Sequence, residues 1–170
     1  MMSSVRCWLF AALCAATLSG CQPGVVYHSY RDISSAGWSC NDTIMFRLPI
    51  RDEDKAMARV VPTENEHYLL EIGLRHTTEY RYRDIWIEIG TCGKSDTLHV
   101  YLADTLGHWL GNGTTGTSFQ LSARPIDYES TGSDTLISVR HLMSDSLLLG
   151  ITHVGIKLSL AGGVDTKEYE

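Results

Sequence analysis

The stretch His67-Tyr68-Leu69-Leu70-Glu71-Ile72-Gly73-Leu74-Arg75-His76 (HYLLEIGLRH) places Tyr68, Leu70, Ile72 and Leu74 on alternate positions. Successive side chains of a strand point to opposite faces, so this alternation predicts a long strand with one apolar face. The pattern recurs on either side. Ile85, Ile87 and Ile89 alternate within Asp84–Ile89, and Leu98, Val100 and Leu102 within Thr97–Ala103. Upstream, Ile44, Phe46 and Leu48 share one face of Asp42–Leu48, and downstream Asp134–Met143 and Thr152–Leu160 alternate and are expected to pair with each other. Phe119–Pro125 is a weaker strand whose closing proline suits an edge or an end. Met143–Ile151 reads as a strand end or one short helical turn, and residues 49–66 as a charged surface connection with room for a short strand at Ala58–Val61. Nothing longer shows helical periodicity. Short strands separated by Gly/Asn turns predict an all-β chain, an antiparallel β-sandwich of jelly-roll or immunoglobulin-like type.

The sandwich is expected over residues 40–161, with a polar tail at 162–170. Ahead of it, residues 1–20 read as a cleaved signal peptide: Arg6 precedes a short apolar run from Cys7 to Leu18, too short to span a bilayer. The run ends in Leu18-Ser19-Gly20-Cys21, the form of a bacterial lipobox, which predicts lipidation of Cys21. Residues 21–39 then read as a lipidated tether and lead-in. Loss of residues 1–20 leaves 150 residues, one ordinary domain, and moves the net charge from −6 to −7 because Arg6 departs. An acidic chain without a Lys/Arg cluster argues against nucleic acid or an anionic membrane surface as partner. Membrane attachment is therefore expected through the lipid, with two or three acyl chains giving a stable anchor. Of five cysteines, Cys7 and Cys14 leave with the signal and Cys21 carries lipid. Cys40 and Cys92 remain as a candidate disulfide for an oxidising envelope, or as two thiols far apart.

The chemistry-bearing motifs are sparse. The chain has no Gly-x-Ser-x-Gly elbow, phosphate-binding glycine loop, His-Glu-x-x-His or Cys-x-x-Cys, and its seven histidines are scattered. No catalytic residue, metal site or cofactor is expected. Asp104–Asn112 offers oxygens near glycines but lacks the alternating acids of a calcium loop, so it reads as a turn. Asp84 and Asp104 are the one pair of carboxylates considered for acid/base work. If the aliphatic residues of each strand point inward, Trp86 and Tyr101 point outward. With Tyr80, Tyr82 and Trp109 they are the candidate surface for a sugar or a protein partner, the alternative being packing beneath the glycine-rich loop at Gly107–Gly116 or against the tether. Asp is followed by Ser or Thr at six of eleven aspartates, five times with an apolar residue next. Such pairs cap turns. The triplet also resembles the O-glycosylation acceptor pattern of Bacteroidetes envelope proteins, with Thr43, Thr97, Thr105, Thr135 and Ser146 as acceptors.

Three blocks in order carry a family resemblance. Leu74–Trp86 (LRHTTEYRYRDIW) resembles the LR-x-T-x-x-Y-x-Y-x-N-L-W/F block of the gliding motility lipoprotein GldH family, and Leu102–Gly113 (LADTLGHWLGNG) its L-x-D-x-x-G-x-W-x-G-x-G block. Met143–Gly155 (MSDSLLLGITHVG) is similar to its closing M-x-x-x-x-L-x-G-I-x-x-V-G block. Asp84 stands where that pattern has Asn, and residues 114–116 lack its acidic residue. The resemblance implies a palmitate-bearing Bacteroidetes envelope lipoprotein, an accessory of gliding and type IX secretion that binds other envelope proteins without catalysis. Gln22 after the lipidated cysteine points to the outer membrane, facing the periplasm. A carbohydrate-binding module using Trp86, Tyr101 and Trp109 is the alternative from another functional class, and an enzyme ranks third.

Overall fold

The computed structural model describes residues 24–49, 67–91, 93–113, 117–121, 125–130 and 136–161. The strands are β1 (Val25–Asp32), β2 (Trp38–Ser39), β3 (Ile44–Arg47), β4 (His67–Thr77), β5 (Asp84–Thr91), β6 (Lys94–Tyr101), β7 (Thr117–Leu121), β8 (Ile126–Glu129), β9 (Leu136–His141), β10 (Leu147–Leu148) and β11 (Ile151–Leu160). Every pairing is antiparallel. One sheet runs β1-β11-β4, with β7 and β8 sharing the far side of β4; the other runs β3-β9-β5-β6, and β10 pairs with β2. The all-β antiparallel architecture matches the expectation from alternation.

The apolar faces meet as one core. Tyr68, Leu70, Ile72 and Leu74 of β4 and Val154, Ile156 and Leu158 of β11 face Ile85, Ile87, Ile89, Leu98, Val100, Ile137 and Val139 of the other sheet, all buried. Each such aliphatic side chain contributes roughly 1.5–3 kcal/mol by leaving water, which makes this face the main stabilising element.

Three features differ from the expectation. First, the segment taken as lead-in contains β1, an edge strand pairing with β11 from Val25 to Asp32. Only Val26 and Tyr27 of this strand pack against the core, adjacent rather than alternate positions, so alternation does not reveal it. The Tyr30 ring lies across Gly155 and Gly73, where any Cβ would collide with it, and the Arg75 guanidinium sits 4.4 Å from the ring centroid. Burial pushes the Tyr30 hydroxyl up to about 12, with Arg75 opposing. Second, Thr152–Leu160 does not pair with the strand before it. β9 lies between β3 and β5, whereas β11 lies between β1 and β4 in the opposite sheet. Alternation fixes which face is buried but is identical for either sheet, and residues 142–150 cross from one sheet to the other. Third, β8 and the β2–β10 pair were not anticipated. Pro125, which has no N–H to donate to a ladder, stands between the two short strands β7 and β8, and both use the same side of β4. Ala58–Val61, the Cys21 site and the polar tail lie outside the described residues.

The sandwich has two distinct ends. At the Gly24 end, the Gly24 carbonyl accepts a hydrogen bond from Leu160 N, Leu160 is paired with Tyr68 and His67 with Glu129, and the β5–β6 hairpin closes at Thr91–Lys94. At the opposite end, here the Tyr80 end, lie the β4–β5 connection, the loop after β6 and the crossover from β9 to β11.

Candidate functional site

At the Tyr80 end β4 stops because Thr77 closes a turn. Tyr80 N donates to Thr77 O, and Glu79 N to Thr77 Oγ1. The turn is wedged from behind by Gly150, whose φ of +86° places it in the left-handed region and whose missing Cβ leaves room for the Tyr80 backbone; Thr77 N donates to the Gly150 carbonyl at 2.7 Å. Tyr80 is buried, and its hydroxyl donates to the Asp84 carbonyl at 2.9 Å. Burial, reinforced by Asp84, raises its pKa far above the usual phenol value. Tyr82 packs edge-on to Tyr80 and donates at 2.6 Å to the Asp145 carboxylate, which raises its own pKa.

The loop after β6 attaches to the same turn. Leu102 N and Ala103 N both donate to the Arg83 carbonyl, and the Arg83 guanidinium donates to Asp104 O. Asp104 organises the loop from within. Its Oδ1 accepts from Leu106 N and His108 N at 2.8 Å, and its Oδ2 meets His108 Nδ1 at 3.0 Å. These donors, the His108 amide foremost, hold its carboxyl below the ordinary range. A carboxylate committed to three local donors explains why the segment forms a turn rather than a cation loop. The turn returns Trp109 opposite Ala103 and sets its ring against His76, tilted at 56° with centroids 4.5 Å apart.

The crossover completes the cap. Leu142 N donates to Trp86 O, Trp86 N to Met143 Sδ, and Cys40 N to Ser146 O. Beneath it, His141 Nε2 donates to the Trp38 carbonyl and the His141 ring packs edge-on to Trp38. His76 donates through Nδ1 to Thr77 O. Both imidazoles are buried, and the other nitrogen of each has no hydrogen-bond partner among the described residues. Burial lowers both pKa values, holding the rings neutral.

The three sequence blocks that carry the family resemblance therefore interlock at one end of the fold. The same end exposes apolar side chains. Of nine large apolar side chains exposed among the described residues, seven lie here: Trp86, Tyr101, Leu106, Leu110, Leu142, Leu147 and Leu149. Leu106, at the loop tip, is 80 % exposed. A small depression of about 70 Å³ between Tyr80, Arg81, Tyr82 and Leu147–Leu149 adds relief to this surface. The Gly24 end differs in chemistry. There a cleft of about 290 Å³ opens between the sheets, floored by Leu70, Ile89 and Tyr128 and rimmed by Lys94, Asp96, Asp127 and Glu129.

The expected aromatic surface is brought together in part. Trp86 and Tyr101 stand exposed side by side with His99 between them: His99 is parallel to Trp86 at 4.1 Å and tilted against Tyr101 at 4.4 Å. His99 Nε2 in turn meets the Asp84 carboxylate at 2.5 Å. Tyr80 is buried, and Tyr82 and Trp109 are half-buried against the core, so these three build the end rather than line it. His99 and the five exposed leucines were not singled out from sequence. His99 could have been found by carrying the outward face of β6 across from Tyr101. The Asp84 and Asp104 carboxylates are engaged separately, with His99 and with the loop donors. Thr43, Thr97, Thr105 and Ser146 are all exposed, and Thr135 lies outside the described residues. Cys40 is a free, half-buried cysteine at the Tyr80 end. Cys92 lies outside the described residues; its neighbours Thr91 and Gly93 close the β5–β6 hairpin at the other end.

The GldH lipoprotein family model matches residues 25–158. The chain belongs to the GldH lipoprotein family. It is thus a lipid-anchored lipoprotein of the cell envelope, and the matched region begins at β1 and ends in β11, taking in both sheets and the whole Tyr80 end. No curated protein matches the chain. Among solved structures, the chain is similar to one from a structure of Tomato aspermy virus, with 11 % identity and a TM-score of 0.35 over 99 % of this chain and 98 % of that one; so loose a superposition carries no argument.

Proposed function

We propose that this GldH-type lipoprotein acts without catalysis, anchored through lipid on Cys21 in the outer membrane with its domain in the periplasm, and binds another envelope protein of the gliding or type IX secretion machinery through the Tyr80 end. The observation that carries this reading is the concentration of exposed leucine and aromatic side chains on one hydrogen-bonded end. Apolar side chains scattered singly are ordinary on a protein surface, whereas a cluster marks an interaction site. A backbone already fixed by hydrogen bonds also has less ordering left to lose on docking.

The carbohydrate reading has less to support it. A sugar ring stacks on an open aromatic face, but one face of Trp86 is covered by His99 and Trp109 is packed on His76. Affinity capture from detergent-solubilised envelopes tests the protein-binding reading. Envelope proteins of the gliding or secretion machinery are expected to be retained by the native protein and lost with Leu106→Glu/Leu147→Glu. Retention of none, or equal retention by the variant, would refute it. The exposed Thr43, Thr97, Thr105 and Ser146 are further proposed as O-glycan acceptors, for which intact mass from the native host is the check.

A further inference from the structure

We infer that the Gly24 end is the face of the domain that lies against the lipid headgroup layer, so that the Tyr80 end is the end directed away from the bilayer. The inference rests on the reading of Cys21 as the lipidated residue and on where the fold begins. Gly24 is already fixed to the sandwich, its carbonyl held by Leu160 N at 2.8 Å, and β1 starts at the next residue. Between Cys21 and Gly24 stand only Gln22 and Pro23. Three residues of fully extended chain reach at most about 11 Å. The headgroup region of one leaflet is roughly 5–7 Å deep. A lipidated Cys21 therefore leaves the Gly24 end no room to rise clear of the headgroups by more than a few ångströms.

In a domain standing upright on this tether, the other end lies far from the bilayer. β4 alone has eleven residues, and at about 3.4 Å per residue it is roughly 37 Å long. Gly24 and Tyr80 lie at opposite ends of strands of this length. The composition of the two ends agrees with the assignment. The Gly24 end carries mixed charge, with Asp96, Asp127 and Glu129 against Arg47 and Lys94, which suits apposition to a zwitterionic headgroup layer without insertion. The exposed leucines stand at the end that a partner protein can reach. The docking partner is then a protein whose binding segment stands about 4 nm from the bilayer surface, by the same strand length.

The test uses the full lipidated protein reconstituted in phosphatidylcholine vesicles that contain a headgroup-labelled acceptor lipid. A donor dye is placed at Ser95→Cys, near the Gly24 end, or at Thr105→Cys, at the loop tip, each with Cys40 and Cys92 replaced by Ser. Energy transfer is expected to be several-fold stronger from position 95 than from position 105. A flexible Gly/Ser insertion of twenty residues after Gln22 is expected to lower transfer at 95 and to shrink the difference. Equal transfer from the two positions, or stronger transfer from 105, in protein that floats with the vesicles would overturn the orientation. Failure of the native protein to float, matched by Cys21→Ala, would instead remove the anchor and the inference with it.

Discussion

The two ends of this sandwich are built from the same strands and do opposite things. At the Gly24 end the described residues present a charged cleft between the sheets. At the Tyr80 end three separate segments are tied to one another through the Thr77–Asp84 turn, yet leave outside most of the exposed leucine found among the described residues. The difference is instructive because polar and apolar residues exchange their usual duties. Asp104, Tyr80 and Tyr82 are spent on internal hydrogen bonds, while leucines face water. Leucines that face water in the folded chain also face it in the unfolded chain and so cost the fold little, and the effects of mutation should therefore separate cleanly between scaffold and surface.

The largest effect is expected at the wedge. Gly150→Ala places a Cβ against the Tyr80 backbone at a φ of +86°, and should destabilise by roughly 2–4 kcal/mol, read as a lower urea midpoint at unchanged slope. Trp109→Ala comes next, at about 2–3 kcal/mol, because a half-buried aromatic is lost from above His76. If either variant is as stable as the native chain, the interlocked end is not a structural unit.

Acid distinguishes the ends without mutation. His76 and His141 both lie at the Tyr80 end, and burial lowers the pKa of each below the ordinary 6.5. The unfolded chain then binds more protons than the folded one as pH falls through 6.5. Stability is fully present above that pH and declines below it, at no more than about 1.4 kcal/mol per pH unit for each histidine. His28 on β1 is shifted the same way by burial and by Lys157, so a local readout is needed. Amide exchange between pH 7 and 5 should show the Thr77–Asp84 turn and residues 141–151 losing protection before His67–Leu70. The reverse order would break the comparison. The smallest effect concerns the leucines themselves. Leu106→Glu and Leu147→Glu should each change stability by less than about 0.5 kcal/mol, since neither side chain is buried.

How much of this was legible in the sequence follows from which physical signal each part carries. β4, β5, β6 and β9 bury aliphatic residues at period two, and that pattern survives without knowledge of partners. β1 reads as a tether in the sequence because the partner of Tyr30 is a pair of glycines, a packing with no periodic signature. The partner of β11 was misassigned for a related reason: Val154, Ile156 and Leu158 satisfy either sheet, and only the crossover of residues 142–150 decides. At the candidate site, Trp86 and Tyr101 were found from alternation, but Tyr80 and Tyr82 carry the same letters with a different job, set by Asp84 O and Asp145. The leucines of the loops escaped notice because exposed apolar residues outside periodic segments mean nothing until the fold gathers them.

The central claim is that the Tyr80 end is the surface that meets a protein partner. Photo-crosslinking in the native host tests it most directly, with a benzophenone amino acid placed singly at positions 106 and 147 and, for comparison, at 94 and 129. Adducts to a protein of the envelope machinery are expected from 106 and 147 and not from 94 or 129. Adducts confined to 94 and 129, or absent at all four positions while the protein remains in the membrane fraction, would contradict it.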